Sequence, residues 1–411
     1  MVGATHMTHG EGTEDHLDYR PLPDAPAEVS PLSRATYEAR IGRVQEAMRM
    51  AGLGALFVPP SADLEYLTGE FRATPTPTSS AWPLGWLGGA WLRPDAEPLL
   101  TVPRMASDYS WRNALDWPMQ VISDSAESVA VLQGLVDQLG LSGERIALGD
   151  RALARTGLDL LEANSDIDVV SDPSFVQRVR SQKDDAEIEI LREVSQITDE
   201  AFRNVVGRIK PGLTERDLVE EITYQLGLLG SKPAYPIGAW GWGPTYPRSV
   251  WDRHVMDVPV VAPNVFAFDF GAWWKGYCTD FCRVVHLSDP GPEVRSTYAA
   301  LVAVQDQVIA ELKPDGRTAE DIYRIGMDLM REAGLDRYFP DRFGHGIGMD
   351  IHEVPSLYVN DRTPIASGMV VTIEPQVFNG PVFLGIEDLV LIGNEGGQRL
   401  TQFGSDLIVV E

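Results

Sequence analysis

Cysteine and positive charge are both scarce in this sequence. Its only cysteines are Cys278 and Cys282, too few for the disulfide framework on which small secreted domains depend. Lys and Arg number 34 against 60 Asp and Glu, a net charge of −26. This balance argues against nucleic acid and anionic membranes as partners, because both select basic surfaces. No apolar run approaches the roughly 20 residues that span a bilayer. We therefore expect a cytoplasmic protein that binds neither nucleic acid nor membrane.

The chain of 411 residues is long enough for two or three domains. Residues 1–30 are polar and contain several prolines, and we interpret them as a disordered leader. In residues 31–175, short apolar strands alternate with helical stretches, which is typical of a small α/β domain. A charged helical stretch then begins near Ser181, and strands, hairpins and a helical pair at about 293–335 follow. We interpret residues 180–411 as an α+β catalytic domain.

Two aspartates lie inside the apolar stretch VFAFDFGAWWKGYCTDFCRVV, which contains a natural hairpin turn at Lys275 and Gly276. In a hairpin with a two-residue loop, the numbers of two paired residues add up to an odd number. Asp269 and Asp280 also add up to an odd number, so both side chains are predicted to lie on the same face of the ribbon.

A second hairpin carries two glutamates. Asn379 and Gly380 form the strongest short turn signal in the chain. If these two residues form the loop, Glu374 lies opposite Gly385, and Glu387 lies two positions further along. Glu374 and Glu387 then share one face, roughly 7–8 Å apart at the backbone, and long carboxylates at that spacing can close on one centre.

In so acidic a chain, a single carboxylate in a strand is more commonly a solvated surface group than a ligand. Four carboxylates on the same faces of two apolar hairpins favour a different interpretation. Burying such charges without compensation costs several kcal/mol each, and Lys and Arg are scarce in both segments. The pattern therefore predicts a bound cation.

The stretch FGHGIGMDIHEVP adds two histidines, His345 and His352, seven positions apart among three glycines. Glycine is poor helix material, and an odd separation on one flat strand puts the two rings on opposite faces. We expect His345 to supply a nitrogen ligand and His352 to be a separate polar group beside the metal. Four carboxylates and one imidazole suit two divalent ions, with Mn²⁺ the natural candidate and Co²⁺ or Zn²⁺ as alternatives.

At these residues the sequence resembles the M24 metallopeptidases, whose "pita-bread" fold is shared by methionine aminopeptidase, prolidase, aminopeptidase P and creatinase. The ordered family pattern is two aspartates, the histidine of GHGIG, the glutamate of an EP dipeptide and the glutamate of an IED tripeptide. The matching residues here are Asp269, Asp280, His345, Glu374 and Glu387. The resemblance runs through residues 180–411, and the N-terminal part looks like the accessory domain of the prolidase branch. It also implies a homodimer.

The resemblance implies roles for these residues. Asp269 would chelate one metal ion, Asp280 and Glu387 would bridge both ions, and His345 and Glu374 would complete the second site. Glu374 would also be the general base for a water shared by the two ions. His352, in the HE.P position of the family, would bond the scissile amide and the developing oxyanion.

Two positions depart from the branch. Asp252 stands where the branch usually has a histidine, and nearby His254 is our candidate to take that substrate-binding place. Gly385 stands where the branch often has an arginine near the substrate. A dipeptidase needs a group for the free carboxylate of its substrate, so we predict that Arg72, in the long loop 71–91, provides it.

The leading hypothesis is Mn²⁺-dependent hydrolysis of Xaa-Pro dipeptides, as in prolidase, with a short proline-containing peptide as partner. Xaa-Pro aminopeptidase activity is an alternative. Hydrolysis of a non-peptide C–N bond, as in creatinase or the ectoine hydrolases of this fold, is another, which the changes at 252 and 385 keep open. A metal-free binding protein derived from the fold is a third, and the intact ligand set counts against it.

Overall fold

The structure is a computed structural model that describes residues 32–70, 84–109, 111, 113–171, 174–246, 257–336, 342–379 and 382–410. The leader predicted at residues 1–30 lies outside this range. So do Arg72, Asp252 and His254, and our predictions for these residues therefore remain predictions.

Helix ends follow the capping signals of the sequence. The first helix begins after Ser33, whose side chain accepts a hydrogen bond from the Thr36 amide, and it ends at Gly52 in a left-handed conformation. The helix near 214 opens with a capping box between Thr214 and Asp217. The helices described are α1 (Arg34–Ala51), α2 (Ala62–Thr68), α3 (Arg104–Tyr109), α4 (Ser128–Leu139), α5 (Ala154–Ala163), α6 (Phe175–Arg180), α7 (Asp185–Val206), α8 (Glu215–Leu228), α9 (Gly291–Ala310) and α10 (Ala319–Glu332), with a 3₁₀ helix at Gly85–Leu87.

The strands alternate with these helices at first and then dominate the second half of the chain. They are β1 (Ala55–Val58), β2 (Gly89–Arg93), β3 (Ala96–Pro103), β4 (Met119–Ile122), β5 (Arg145–Leu148), β6 (Asp168–Ser171), β7 (Lys232–Pro233), β8 (Gly238–Trp242), β9 (Val265–Phe270), β10 (Ala272–Trp274), β11 (Tyr277–Cys278), β12 (Phe281–His286), β13 (Arg342–Gly346), β14 (Glu353–Tyr358), β15 (Val370–Ile373), β16 (Gln376–Asn379), β17 (Val382–Gly385), β18 (Asp388–Ile392), β19 (Gly397–Arg399) and β20 (Ile408–Val409).

The N-terminal part is a three-layer α/β unit. Its six-stranded mixed sheet has the order β4-β3-β2-β1-β5-β6. Successive residues of β1 face opposite sides, so Leu56 and Val58 pack with α1 and α2, while Ala55 and Phe57 pack with α4 and α5. The predicted α/β architecture is confirmed. No helix in the described ranges has both the length and the apolarity that crossing a bilayer requires.

The C-terminal part contains two main sheets with helices on their outer faces. One sheet has the order β20-β12-β9-β8 and the other β14-β13-β15-β18-β19. Alternate residues of β9, such as Phe266 and Phe268, pack in one core with Phe202 of α7. The second sheet shares a core with α9 and α10. The two sheets meet at a bridge between Cys282 and Glu387, where the Glu387 amide donates to the Cys282 carbonyl at 3.1 Å. This mixed architecture agrees with the predicted α+β class.

Candidate metal centre

Asp269 and Asp280 lie on the same face of the first hairpin, as the sequence predicts. Asp269 on β9 pairs with Cys282 on β12, so Asp280 is two positions from its direct partner. The chain comes very close to itself here, because a Cβ at Gly271 would lie 1.8 Å from the carbonyl oxygen of Thr279. Only glycine at 271 allows this approach.

The predicted register of the second hairpin is wrong. Strands β16 and β17 pair Asn379 with Val382, so the two residues between them are Gly380 and Pro381 rather than Asn379 and Gly380. Proline has no backbone N–H and cannot donate to a strand ladder, which disfavours the register we predicted.

The observed register brings the two glutamates closer than we expected. Ile373 pairs with Asp388, and Gln376 pairs with Gly385 in the same register. Glu374 therefore lies directly opposite Glu387, whereas the sequence predicted Gly385 in that position. The predicted shared face is correct, and the diagonal offset is not.

His345 and His352 reach the same place because the chain reverses between them. His345 lies on β13, and His352 immediately precedes β14, which pairs with β13 through an irregular register. The reversal needs Gly346, where a Cβ would lie 2.4 Å from the carbonyl oxygen of Val354. The two imidazole centroids are 4.3 Å apart in an edge-to-face arrangement.

The side chains predicted as ligands converge. Three overlapping groups each have ligand atoms within 4.8 Å of one another: Asp269 with Asp280 and Glu387, His345 with Glu374 and Glu387, and Asp280 with His345 and His352. Asp280, His345 and Glu387 are buried, whereas His352 keeps access to solvent. Asp280, His345 and Glu387 each belong to two of the groups and therefore lie at the centre of the cluster.

Burial and mutual repulsion disfavour the ionised form of the carboxyl groups in this cluster. Burial, reinforced by the Asp280 carboxylate, raises the pKa of Asp269 to about 7. Burial and the neighbouring carboxylates also hold the pKa of Glu387 well above its usual range, and burial raises the pKa of Glu374. Burial lowers the pKa of His345, but Asp280 and Glu374 outweigh this effect and leave it raised. Carboxyl groups in water are fully ionised at neutral pH. The raised pKa values mean that this cluster is stabilised when it binds protons or a cation.

Several buried ligand atoms have no hydrogen-bond partner in the described structure. His345 Nδ1 lies 3.0 Å from the Gly346 carbonyl, which orients the ring and leaves Nε2 facing the carboxylates. That Nε2 and Glu387 Oε1 are buried without a hydrogen-bond partner among the described residues. Buried polar atoms of this kind are rarely left unsatisfied, and an imidazole fixed through its other nitrogen is a common arrangement at metal sites. The donor set fits hard or borderline divalent ions.

Tyr235 is a member of this site that the sequence analysis missed. Its hydroxyl lies 2.7 Å from Asp269 Oδ1 and also contacts Asp280 Oδ1. One hydroxyl carries one proton, so it can donate to only one of the two carboxylates at a time. Tyr235 belongs to the connection between β7 and β8, and no spacing in the sequence links it to either aspartate.

Arg342 was also missed. Its Nη2 lies 3.0 Å from Glu374 Oε1, and its positive charge acts on His345, His352 and Glu387 as well. The side chain is 39% exposed. An offset of three on a regular strand would point Arg342 away from His345, but the register between these two residues is irregular, and the guanidinium reaches the cluster.

His352 differs from the groups around it. Partial burial of the ring, together with the positive charges of His345 and Arg342, lowers its pKa to about 4. The ring is therefore neutral at pH 7 and has one N–H to donate. It lies at the exposed side of the cluster, with a ring nitrogen within 4.8 Å of ligand atoms of Asp280 and His345. That His352 is a polar group beside the metal rather than a ligand remains a prediction.

The position of Gly385 is lined by aromatic and sulfur-containing side chains. A Cβ there would lie 3.0 Å from the Phe383 ring and 3.1 Å from Cys282 Sγ. Phe383 in turn packs against Trp242 and Phe378, with ring centroids 5.7 and 4.7 Å away. Residues 376–386 contain no charged side chain, so this side of the site is apolar.

The sequence profile of metallopeptidase family M24 matches residues 189–394. The Xaa-Pro dipeptidase of Pyrococcus horikoshii is 25% identical over 371 residues, which cover 90% of this chain and 98% of that protein. Dipeptidase PepE from Mycobacterium ulcerans superposes with a TM-score of 0.78 at 26% identity, over 93% of this chain and 100% of that one.

A solved structure whose name mentions no peptidase also shares this fold. The N-terminal domain of FACT complex subunit SPT16 from Cicer arietinum superposes with a TM-score of 0.72 at 16% identity, over 92% of this chain and 99% of that domain. The profile match is more specific than this likeness, since it covers half of the chain and includes all five predicted ligands. This chain belongs to metallopeptidase family M24.

Proposed function

We propose that this protein is a dinuclear metallopeptidase that hydrolyses Xaa-Pro dipeptides. The observation that carries the proposal is the convergence of four carboxylates and one imidazole in a buried cluster that disfavours its own charge. A relative with full-length similarity bears the name Xaa-Pro dipeptidase. The homodimer and cytoplasmic location remain predictions.

In this proposal Asp269, Asp280 and Glu387 would hold one divalent ion. His345 and Glu374 would hold a second ion, to which Asp280 and Glu387 would also contribute. Mn²⁺ fits the oxygen-rich donor set, with Co²⁺ or Zn²⁺ as alternatives. When bound, the ions would lower the pKa of a water and polarise the carbonyl of the scissile amide.

Glu374 is the general base in this proposal. Its side chain is partly open to the site, at 12% exposure, and in the metal-free protein burial raises its pKa. The same carboxyl group would return the proton it accepts to the proline nitrogen as the amide bond breaks. Arg342 beside it limits how far the pKa rises.

His352 stabilises the oxygen of the amide during attack. Because its pKa is lowered to about 4, the ring is neutral at working pH and donates one hydrogen bond. A donor aimed at a developing oxyanion contributes more in the transition state than in the ground state.

Arg342 recognises the carboxylate of the dipeptide. It is a partly exposed guanidinium at the edge of the cluster, and its described ion-pair partner is Glu374. Guanidinium groups bind carboxylates through two parallel hydrogen bonds. The apolar side at Phe383 and Gly385 supplies no charge of its own, so Arg342 is our first candidate among the described residues. Arg72 and His254, which lie outside them, remain the candidates from the sequence.

One substrate panel tests the proposal. Purified protein with Mn²⁺ should cleave Ala-Pro and Met-Pro faster than a matched tripeptide with proline second, and it should not act on creatine. Faster cleavage of the tripeptide would make the protein an aminopeptidase. Activity on creatine or another non-peptide C–N bond alone would overturn the peptidase proposal.

The role of Arg342 has a test of its own. Arg342→Met should raise KM for Ala-Pro by about tenfold or more, and it should abolish the preference for Ala-Pro over Ala-Pro amide, which lacks the carboxylate. Arg342→Lys keeps the charge and should retain part of the preference. If Arg342→Met keeps the full preference and Arg72→Met loses it, the carboxylate binds to Arg72.

A further inference from the structure

A second cluster of charged residues lies directly behind His352. It consists of Asp63, Arg180, Lys183, Asp350 and Glu353, hereafter the Arg180 cluster. Arg180 lies 2.5 Å from Asp63 and 3.4 Å from Asp350, and it also contacts Glu353, while Lys183 lies 2.9 Å from Glu353. The side chains of Arg180, Lys183 and Glu353 are at most 1% exposed. The proposed mechanism uses none of these residues.

The Arg180 cluster connects three parts of the chain. Asp63 belongs to α2 of the N-terminal unit, and Arg180 is the last residue of α6. Lys183 is fixed to the C-terminal unit, since its amide donates to the Gly368 carbonyl at 2.9 Å. Glu353 opens β14, immediately after His352.

Glu353 also closes the loop that carries His352. Its Oε1 accepts a hydrogen bond from the Asp350 amide at 3.0 Å, and the Gly348 amide donates to the Asp350 carbonyl at 3.2 Å. A Cβ at Gly348 would lie 3.0 Å from both Glu353 Oε2 and Lys183 Cε. The loop from 348 to 353 is therefore packed tightly around the Glu353 carboxylate.

The His352 ring has little else to fix it. Within the described ranges the ring has a close edge contact with His345 and no hydrogen-bond partner. Its location therefore depends on its backbone, and that backbone is set by the adjacent Glu353 and the loop folded on it.

We propose that Arg180 is a positioning residue for His352. Arg180 and Lys183 hold the Glu353 carboxylate, Glu353 holds the 348–353 loop, and the loop places the imidazole beside His345 and Asp280. Asp63 orients Arg180, so the N-terminal unit contributes to the geometry of the site. This inference rests on the proposed function of His352, and its test includes a measurement that needs no activity.

Arg40 provides a matched control. It is also a buried arginine that joins the N-terminal unit to the C-terminal unit, through Asp184 at 2.9 Å and Glu187 at 4.0 Å. None of these three residues belongs to the His352 loop. Arg180→Met and Arg40→Met thus remove equivalent groups at two places, and only the first should disturb His352.

The first measurement is kinetic, with Mn²⁺ and Ala-Pro. Arg180→Met should lower kcat by about tenfold or more, with KM changed by less than about threefold and the bound Mn²⁺ retained. Arg180→Lys should recover part of the loss. Arg40→Met should keep kcat within about twofold of the wild type. Equal losses in both methionine variants would overturn the proposal.

The second measurement is NMR of the metal-free protein with labelled histidine rings. The chain has seven histidines, and His352→Asn identifies the resonance of His352. Arg180→Met should shift that resonance, whereas Arg40→Met should leave it near its wild-type position.

If Arg180→Met does not fold, Asp63→Asn gives the same test with a milder change, and the His352 resonance should still move. An unmoved resonance in a folded Arg180→Met or Asp63→Asn protein would overturn the proposal. Failure of the wild-type protein to cleave Xaa-Pro would instead reject the proposed function, and the NMR result would stand independently.

Discussion

Two clusters of carboxyl groups lie on either side of residues 352 and 353. His352 borders the metal-site cluster of Asp269, Asp280, Glu374 and Glu387, whereas Glu353 belongs to the Arg180 cluster. In the Arg180 cluster, Arg180 and Lys183 hold the pKa of Glu353 at about 2 despite its burial. In the metal-site cluster, burial and mutual repulsion raise the pKa of Glu387 well above its usual range.

The difference lies in the source of the compensating charge. Glu353 lies against two cations of the protein itself. The ion pairs of the four site carboxylates, among the described residues, are with His345 and the partly exposed Arg342. Glu353, with two protein cations against it, forms a structural ion pair, while a buried carboxylate without such partners is available to a cation from solution. The same substitution, glutamate to glutamine, should therefore change stability differently in the two clusters.

The largest expected effect is the loss of turnover in Glu374→Gln. In the proposed mechanism this change removes a ligand charge and the base together, and a general base alone contributes about 10²–10⁴-fold. Turnover of Ala-Pro with Mn²⁺ should fall below detection while the circular dichroism spectrum is unchanged. Near-normal activity would contradict the assignment of Glu374.

Next in size is the contrast in stability between Glu353→Gln and Glu387→Gln. In the metal-free protein, Glu353→Gln leaves two buried cations short of a partner and should cost about 3–5 kcal/mol of unfolding free energy. Glu387→Gln replaces a carboxyl group whose charged form is disfavoured by burial and by its neighbours, so it should be neutral or stabilising. Urea denaturation of both variants measures this. Equal losses of unfolding free energy in the two variants would contradict the proposed difference in charge compensation between the clusters.

His352→Ala should have a smaller effect on catalysis. Loss of one hydrogen-bond donor to the transition state should lower kcat more than tenfold, or about 1.4 kcal/mol or more. Metal content, measured on the same sample, should be retained. A protein that loses its metal together with His352 would instead identify this residue as a ligand.

The smallest effect concerns pH. Asp269 has a folded-state pKa of about 7 against an ordinary 3.8, so its contribution to stability is present below pH 3.8 and is lost as pH rises through 7. Glu353 behaves oppositely: its contribution is present above pH 4.5 and is lost as pH falls through about 2. Between pH 5 and 8 the metal-free protein should therefore melt a few degrees lower at the higher pH.

Asp269→Asn serves as the control for this trend. The variant should show a weaker dependence of melting temperature on pH, because the group that loses its proton is gone. Saturating Mn²⁺ should reverse the trend in the wild type, since metal binds the deprotonated carboxylates. A melting temperature that rises between pH 5 and 8 without metal would contradict the raised pKa values.

Local pairing rules explain what the sequence could predict of this site. The two-residue turn at Lys275 and Gly276 preserves the alternation of faces, with Trp274 paired to Tyr277, so the shared face of Asp269 and Asp280 followed from residue numbers. In the second hairpin the alternation of faces was also predicted correctly, but the register was not. The register with an Asn379-Gly380 turn would require Pro381 to donate a backbone hydrogen bond, which proline cannot do.

The missed residues depend on contacts that no local pattern encodes. Tyr235 reaches the aspartates from a different segment, between β7 and β8. Arg342 reaches the site through an irregular strand register. In the Arg180 cluster, Asp63 and Glu353 are 290 positions apart in sequence. Even the nearest ion-pair partner of Arg180, Asp63, is 117 positions away. Such arrangements arise from packing between units, which a single sequence does not reveal.

The most direct test of the account is the stoichiometry of metal binding. Metal-free protein should be dialysed against Mn²⁺, and the bound metal should be measured for the wild type, Glu387→Gln and Arg40→Met. We expect about two ions per chain in the wild type, because the five ligands suit two divalent ions. Arg40→Met should retain both, and Glu387→Gln should lose one or both. Absence of bound Mn²⁺, Co²⁺ or Zn²⁺ in the wild type, or unchanged binding in Glu387→Gln, would contradict a metal centre at these carboxylates.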